Sequence, residues 1–196
     1  MPAGRPRSFD PDQALDQIMN LFWRKGFEAS GMAEILEVSG MARQSLYNTF
    51  GDKKKLFLTA LSRYTQMRHE SLRNRLNGSG AFDSVCDTVF GEVEGSGSMA
   101  PYGCMMVNVA AEFGNTDALI SKAIREYHME LETMIREALE RAQTQGDMAP
   151  HVNPSRAARG IANALNGLTL MRRSGFDQVA IRDAAESALD SLTPPV

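Results

Sequence analysis

The sequence predicts an all-α protein, and three observations carry that prediction. Apolar residues recur at three- and four-residue spacing along most of the chain. Helix-capping residues and Gly or Pro breaks punctuate those stretches. No stretch shows the two-residue alternation of a half-buried strand. Together they divide the chain into about nine helices with no internal repeat.

The first helix has a well-specified start in Phe9-Asp10-Pro11-Asp12-Gln13: Asp10 caps, Pro11 suits the first helical position and Gln13 can reach back as in a capping box. Ala14, Leu15, Ile18, Leu21 and Phe22 follow at helical spacing, and Gly26-Phe27 ends the helix. Short helices over about 32–38 and 42–49 are separated by Ser39-Gly40, and Gly51-Asp52 ends the second. Lys53 opens a long helix to about Leu76, and Asn77-Gly78-Ser79-Gly80 breaks it. A helix over about 82–93 comes next, then a Gly/Ser loop to residue 98, then a helix over about 104–113 introduced by Pro101. Ile120, Ile124, Tyr127, Leu131, Met134, Ala138 and Ala142 mark one stripe of a long amphipathic helix. Pro154 starts the next helix, with Ile161, Leu165 and Leu168 on one side, and the last runs over about 177–192.

Composition limits the possible functions. The chain has 196 residues, 43% hydrophobic and 23% charged, an ordinary globular balance large enough for one large domain or two small ones. No apolar run approaches the roughly 18–20 residues needed to span a bilayer. The start, Met1-Pro2-Ala3-Gly4-Arg5-Pro6-Arg7, has no apolar stretch after its basic residues, so no secretory signal and a cytoplasmic location are expected. Cys86 and Cys104 are expected to be free, mostly buried thiols. His69, His128 and His151 lack ligand spacing, so neither a metal nor another cofactor is expected. No catalytic constellation appears: the best polar cluster, Glu112, His128 and Asn108, is ordinary, and the expectation is a protein that is not an enzyme.

Net charge is −3, but residues 1–55 carry eight Lys/Arg against seven Asp/Glu, while residues 56–196 carry thirteen against seventeen. The basic groups of the first part bunch at Arg5/Arg7, Arg43 and Lys53-Lys54-Lys55, and local clusters govern phosphate contact more than the total does. Two short helices joined by a tight turn at Gly40 are what a helix-turn-helix requires. In the second, Met41, Leu46 and Phe50 fall on an inward side, leaving Arg43, Gln44, Ser45, Asn48 and Thr49 to face a groove. Tyr47 and Lys53 suit phosphates, Lys53 standing where a helix N-terminus adds amide donors. Any small three-helix bundle could share these features, so spacing alone leaves both readings open.

The residue strings decide between them. Phe22-Trp23-Arg24-Lys25-Gly26-Phe27-Glu28, Met32-Ala33-Glu34-Ile35 and Ser45-Leu46-Tyr47-Asn48-Thr49-Phe50-Gly51-Asp52-Lys53-Lys54-Lys55-Leu56 closely resemble the TetR/AcrR family of bacterial regulators. The resemblance implies an all-α fold with an N-terminal three-helix helix-turn-helix DNA-binding domain and a C-terminal helical ligand-binding and dimerisation domain. It sets the boundaries at 1–8 for a flexible basic arm, 9–55 for the DNA-binding domain and 56–196 for the rest. It further implies a homodimer on a palindromic double-stranded operator, acting as a repressor released by a small-molecule effector or by cysteine modification. A non-inducible architectural DNA-binding or interaction protein is the alternative. Where many relatives place Thr or Ser before the second helix, this chain has Gly31, an acceptable cap without a hydroxyl, and Ser30 is taken as the substitute phosphate contact. Arg5 and Arg7 suit a minor groove, or else belong to a solvated tail.

In the C-terminal part, Ala157, Gly160, Ile161, Ala164 and Leu168, with Ala184, Ala185, Ala188 and Leu189, allow close approach of a second copy or packing within one chain. By the resemblance they form a four-helix dimer interface. Twelve methionines suit an adaptable pocket or a plain core. The candidate pocket residues are Tyr64, Met67, Phe90, Met105, Asn108, Tyr127 and Asn163. Cys104 follows Pro101-Tyr102-Gly103 at a helix start, where amide dipoles favour a thiolate, and Gly103-Cys104-Met105-Met106-Val107-Asn108 is similar to a Gly-Cys-x-x-x-Asn string of one branch of the family, some members of which sense reactive molecules. It reads as a sensor or as a buried structural cysteine.

Overall fold

The computed structural model describes residues 10–78, 80–95, 100–190 and 192. Among them are nine α-helices, one 3-10 turn and no strand. Two compact units divide between Tyr64 and Thr65.

The N-terminal unit contains α1 (Pro11–Lys25), α2 (Met32–Ser39), α3 (Arg43–Phe50) and the first half of α4 (Lys53–Leu76). Asp10 Oδ1 accepts the Asp12 N–H at 3.0 Å and Pro11 takes the first helical position, so α1 starts as its sequence dictates. Its buried stripe, Leu15, Ile18, Leu21 and Phe22 among others, carries the core. Phe22, Phe27 and Phe57 cluster with centroids 4.9 Å (Phe22–Phe57) and 5.0 Å (Phe27–Phe57) apart. Each such pair contributes about 0.5–1.5 kcal/mol beyond its area. Gly40 adopts φ +63° in the turn between α2 and α3, the left-handed conformation that L side chains rarely take. The Asp52 carboxylate accepts the Lys55 N–H at 2.8 Å and starts α4.

The unit boundary falls inside α4 and not at 55/56 as expected. The reason is packing: Leu56, Phe57, Ala60, Leu61 and Tyr64 are all buried, with the Tyr64 ring edge-on to Trp23 at 5.0 Å. Arg63 adds a bidentate pair to Asp16 of α1 at 2.9 and 3.2 Å.

The C-terminal unit contains the rest of α4 with α5 (Ala81–Glu94), the 3-10 turn Ala100–Tyr102, α6 (Met105–Phe113), α7 (Ala118–Gln145), α8 (Pro154–Arg173) and α9 (Gln178–Leu189). α7 is the central helix, packed against α5, α6 and α8, while α9 packs on α5 and α8. Asp117, Asn153 and Asp177 cap α7, α8 and α9 through side-chain oxygens. The predicted α7 stripe is buried except at Ile124, which is half-buried. Cys104 is the N-cap of α6 and not its first residue, with extended backbone at φ −91° and ψ 125°.

The stripe expected on α8 divides between two faces. Ile161 and Leu168 are buried within the chain with Ala158, Ala162, Leu165 and Thr169. Ala157, Gly160 and Ala164 lie off that stripe, half-buried or exposed. On α9, Ala185 and Leu189 are likewise buried and Ala184 and Ala188 half-buried. Ile161, Leu168, Ala185 and Leu189 are therefore core of this chain, their faces already covered within it.

Candidate nucleic-acid interface and inner cavity

α3 buries Leu46 completely and Met41 lies buried just before it. That fixes the opposite side outward: Arg43, Gln44, Tyr47, Asn48 and Thr49 are exposed and Ser45 is half-exposed. Gln44 Nε2 donates to Asn48 Oδ1 at 3.0 Å, which orders two amides one turn apart. The pair leaves Gln44 Oε1 and Asn48 Nδ2 free of each other, an acceptor and a donor on one exposed face. Lys53 opens α4 with its ammonium 4.4 Å from the centroid of the Phe27 ring, so its stem is held while its neighbours Lys54 and Lys55 are exposed.

Ser30 does not share this surface. It is wholly buried, and its hydroxyl donates to the Gly26 carbonyl at 2.6 Å, bracing the turn after α1. A buried, committed hydroxyl cannot meet a phosphate, which corrects the sequence expectation. Gly31 caps α2 without a side-chain bond, and a Cβ there would meet nothing within 4 Å. Arg5 and Arg7 lie outside the described residues.

The C-terminal unit contains a partly open cavity of about 30 Å³, room for little more than a water. Cys104 and Tyr127 line it, as the sequence suggested, together with Arg68, His69, Arg75 and Glu92. Cys104 Sγ lies 3.9 Å from Tyr127 Oη, and the Tyr127 ring stacks on His69 with centroids 5.0 Å apart. Burial, then the neighbouring thiol, pushes the Tyr127 phenol well up, so it stays protonated. His69 is pushed down, chiefly by burial, against a hydrogen bond to the Tyr127 backbone. Glu92 receives Arg68 at 2.8 Å and Arg172 at 3.0 Å. Burial alone would raise its carboxyl, but the two guanidiniums prevail and hold it below the usual carboxylate range.

The other candidate pocket residues lie elsewhere. Tyr64 is core of the N-terminal unit, Met67 is 39% exposed and Asn163 is exposed. Phe90 sits under the Arg182 guanidinium at 5.6 Å, and Met105 is buried in the core without lining the cavity. Asn108 donates to the Tyr102 carbonyl at 3.0 Å and holds the 3-10 turn. Asn166, Thr88 and Thr169 line the cavity and escaped the sequence reading. A legible signal existed: Ser84, Thr88 and Glu92 recur every four residues on α5, beside the apolar stripe of Val85, Val89 and Val93.

A helix-turn-helix with an exposed polar recognition face, followed by a helical domain with a cavity of its own, is the architecture of a DNA-binding transcriptional regulator. Two family models match, "Bacterial regulatory proteins, tetR family" over residues 14–60 and "Tetracyclin repressor-like, C-terminal domain" over residues 84–188. The second covers more than half of the chain, and the protein belongs to the TetR family. It is 28% identical to the HTH-type transcriptional repressor ComR of Escherichia coli K12, over 95% of this chain and 90% of that one. The HTH-type transcriptional repressor BdcR of the same organism is 44% identical over 61 residues, 31% of each chain. Among solved structures, a cysteine-substituted form of the TetR family regulator CifR, complexed with a 26-bp double-strand operator DNA, superposes with a TM-score of 0.86 at 27% identity, covering 96% of this chain and all of the other. No helix among the described residues is long and apolar enough to cross a membrane.

Proposed function

We propose that this regulator is a cytoplasmic, non-enzymatic homodimeric repressor that leaves a palindromic operator when a small molecule enters the cavity of the C-terminal unit. The observation that carries this reading is α4. Its first half is packed into the N-terminal unit, and its second half supplies Arg68, His69, Leu72 and Arg75 to the cavity wall. A ligand that favours one setting of the second half biases the first through one continuous helix. Arg43, Gln44, Ser45, Asn48 and Thr49 read bases, while Tyr47 and Lys53 hold phosphates. Arg5 and Arg7 are assigned to an adjacent minor groove.

A single small head makes few contacts, and two-fold dimers solve this by reading half-sites about one helical turn apart, ~34–36 Å, or a multiple of it. The dimer face is assigned to the outer side of α8 and the turn after it. Gly160 and Gly167 are exposed, and a Cβ at either would meet nothing within 4 Å, so packing within the chain does not account for them. A mid-helix glycine costs about 0.5–1 kcal/mol relative to alanine, which close approach of a second helix offsets. Ala157 and Ala164 flank this face, Ala184 and Ala188 extend it, and Leu170, Phe176 and Val179 stand exposed beside it at 53%, 55% and 69%. The double variant Gly160→Glu/Gly167→Glu is expected to give a folded monomer by sedimentation, with DNA binding lost. A dimer of unchanged stability would refute this face.

Cys104 supports a second trigger, because its thiol lines the same cavity. At 6% exposure it is reached only by reagents small enough to enter. Footprinting on DNA flanking the gene tests the whole reading: one protected palindrome is expected, with release by a small molecule. Sequence-independent coverage would point to an architectural protein instead. A Cys104→Ser protein that still responds assigns the trigger to binding, and one that fails to respond assigns it to the thiol.

A further inference from the structure

The cavity has an uneven charge and one unanswered atom. Its wall holds two guanidiniums, Arg68 and Arg75, and one carboxylate, Glu92. That carboxylate is already shared between Arg68 and Arg172. Among the described residues no ion pair engages Arg75. Its guanidinium lies against Gly91 in the middle of α5, where a Cβ would stand 2.5 Å from Arg75 Nη1. A helix-interior glycine is unfavourable by about 1 kcal/mol relative to alanine, and this one leaves the space that the guanidinium occupies. His69, 8% exposed, has no hydrogen-bond partner at Nε2. Leu72, Leu131 and Leu165 make the remaining wall apolar.

A cation without a counter-ion, a buried polar atom without a partner and an apolar wall are together the complement of a small anion with an apolar body. We infer that the cavity takes a small organic monocarboxylate, its carboxylate on Arg75 and His69 and its body against the three leucines. The inference rests on the ligand-responsive reading above and names the chemical class of the effector. His69 Nε2 is buried without a partner, so it is left for the ligand. An acid entering with its proton can leave it there, giving an imidazolium that donates back to the carboxylate. The space as it stands, about 30 Å³, favours the smallest acids, and a body of a few carbons or one ring enters only as the leucine wall gives way.

The test uses the full-length protein with isobutyrate and benzoate, each against its own neutral amide. Calorimetry and thermal melting measure binding, and release of DNA is followed separately. Each acid is expected to bind about tenfold or more tightly than its amide, the margin of one charge-assisted contact. Arg75→Gln should erase that margin. Gly91→Ala should weaken acid binding while leaving the unliganded protein as stable or more so, because alanine is the better helix former and only the guanidinium is displaced. A merely structural Arg75–Gly91 contact predicts the opposite, lost stability and unchanged preference. Amides binding as well as acids, no binding of either acid, or a folded Arg75→Gln protein that still prefers acids would overturn the inference. Acid binding without DNA release would keep this site and remove the effector role. Release by an amide would keep the effector role and remove the carboxylate.

Discussion

Arg43→Ala is expected to weaken binding to the cognate palindrome by about 30-fold to 2 × 10⁴-fold at fixed salt, with little loss on unrelated DNA. The residue opens α3 and is exposed, and the first residues of a recognition helix are those that reach base edges in the major groove. One bidentate guanidinium–guanine contact is worth about 1–3 kcal/mol of discrimination. A dimer presents it twice, so the loss is about 2–6 kcal/mol, which gives the range stated. Tyr47→Phe is the contrast: with only a phosphate contact removed, affinity should fall by a similar factor on every sequence. Binding isotherms on the operator, on single-base variants and on random duplex separate the two. Equal loss on all three for Arg43→Ala would move that residue to the backbone and leave Gln44 and Asn48, joined at 3.0 Å, as the readers of sequence.

The head was legible in the sequence because what specifies it is local. Asp10-Pro11 and Gly40 act on their own turns, and the alternation of Leu46 with Arg43, Gln44 and Asn48 settles which side of α3 faces out. Ser30 was misread as a phosphate contact because a hydroxyl next to a helix start suits one, whereas its partner is the Gly26 carbonyl four residues back. The unit boundary was placed too early because α4 is one unbroken helix, and only packing shows where its buried face changes unit. The cavity was the least legible part. Arg68, Glu92, Tyr127 and Asn166 come from four helices far apart in sequence, and each alone reads as a polar residue on a helix surface. On α8, small residues serve both the core and the exposed face, so composition could not sort Ile161 from Gly160.

Glu92→Ala is expected to cost about 2–4 kcal/mol of stability at neutral pH, because it leaves the Arg68 and Arg172 guanidiniums without their carboxylate. The Arg172 side chain is 16% exposed and Glu92 is 10% exposed, so water compensates little there, while Arg68 at 33% is partly rehydrated and holds the figure below the full cost of a buried pair. Arg172 Nε already lacks a partner, which makes loss of the remaining contact harder to absorb. The pH dependence has a definite sign. With the folded-state value held below the ordinary one, the ionised carboxylate contributes stability above the usual carboxylate range, and that contribution is lost as pH falls through the folded value. Urea melts should therefore show wild type and Glu92→Gln far apart at neutral pH and converging below about pH 4. A gap that stayed constant into acid would mean that shape and not charge holds the three helices. The triple replacement of Glu92, Arg68 and Arg172 by methionine completes the argument, since removing both signs removes the desolvation cost as well as the attraction. Its stability should return to near that of wild type, while binding of the small acid should change with it, because the same arginine forms part of the cavity wall.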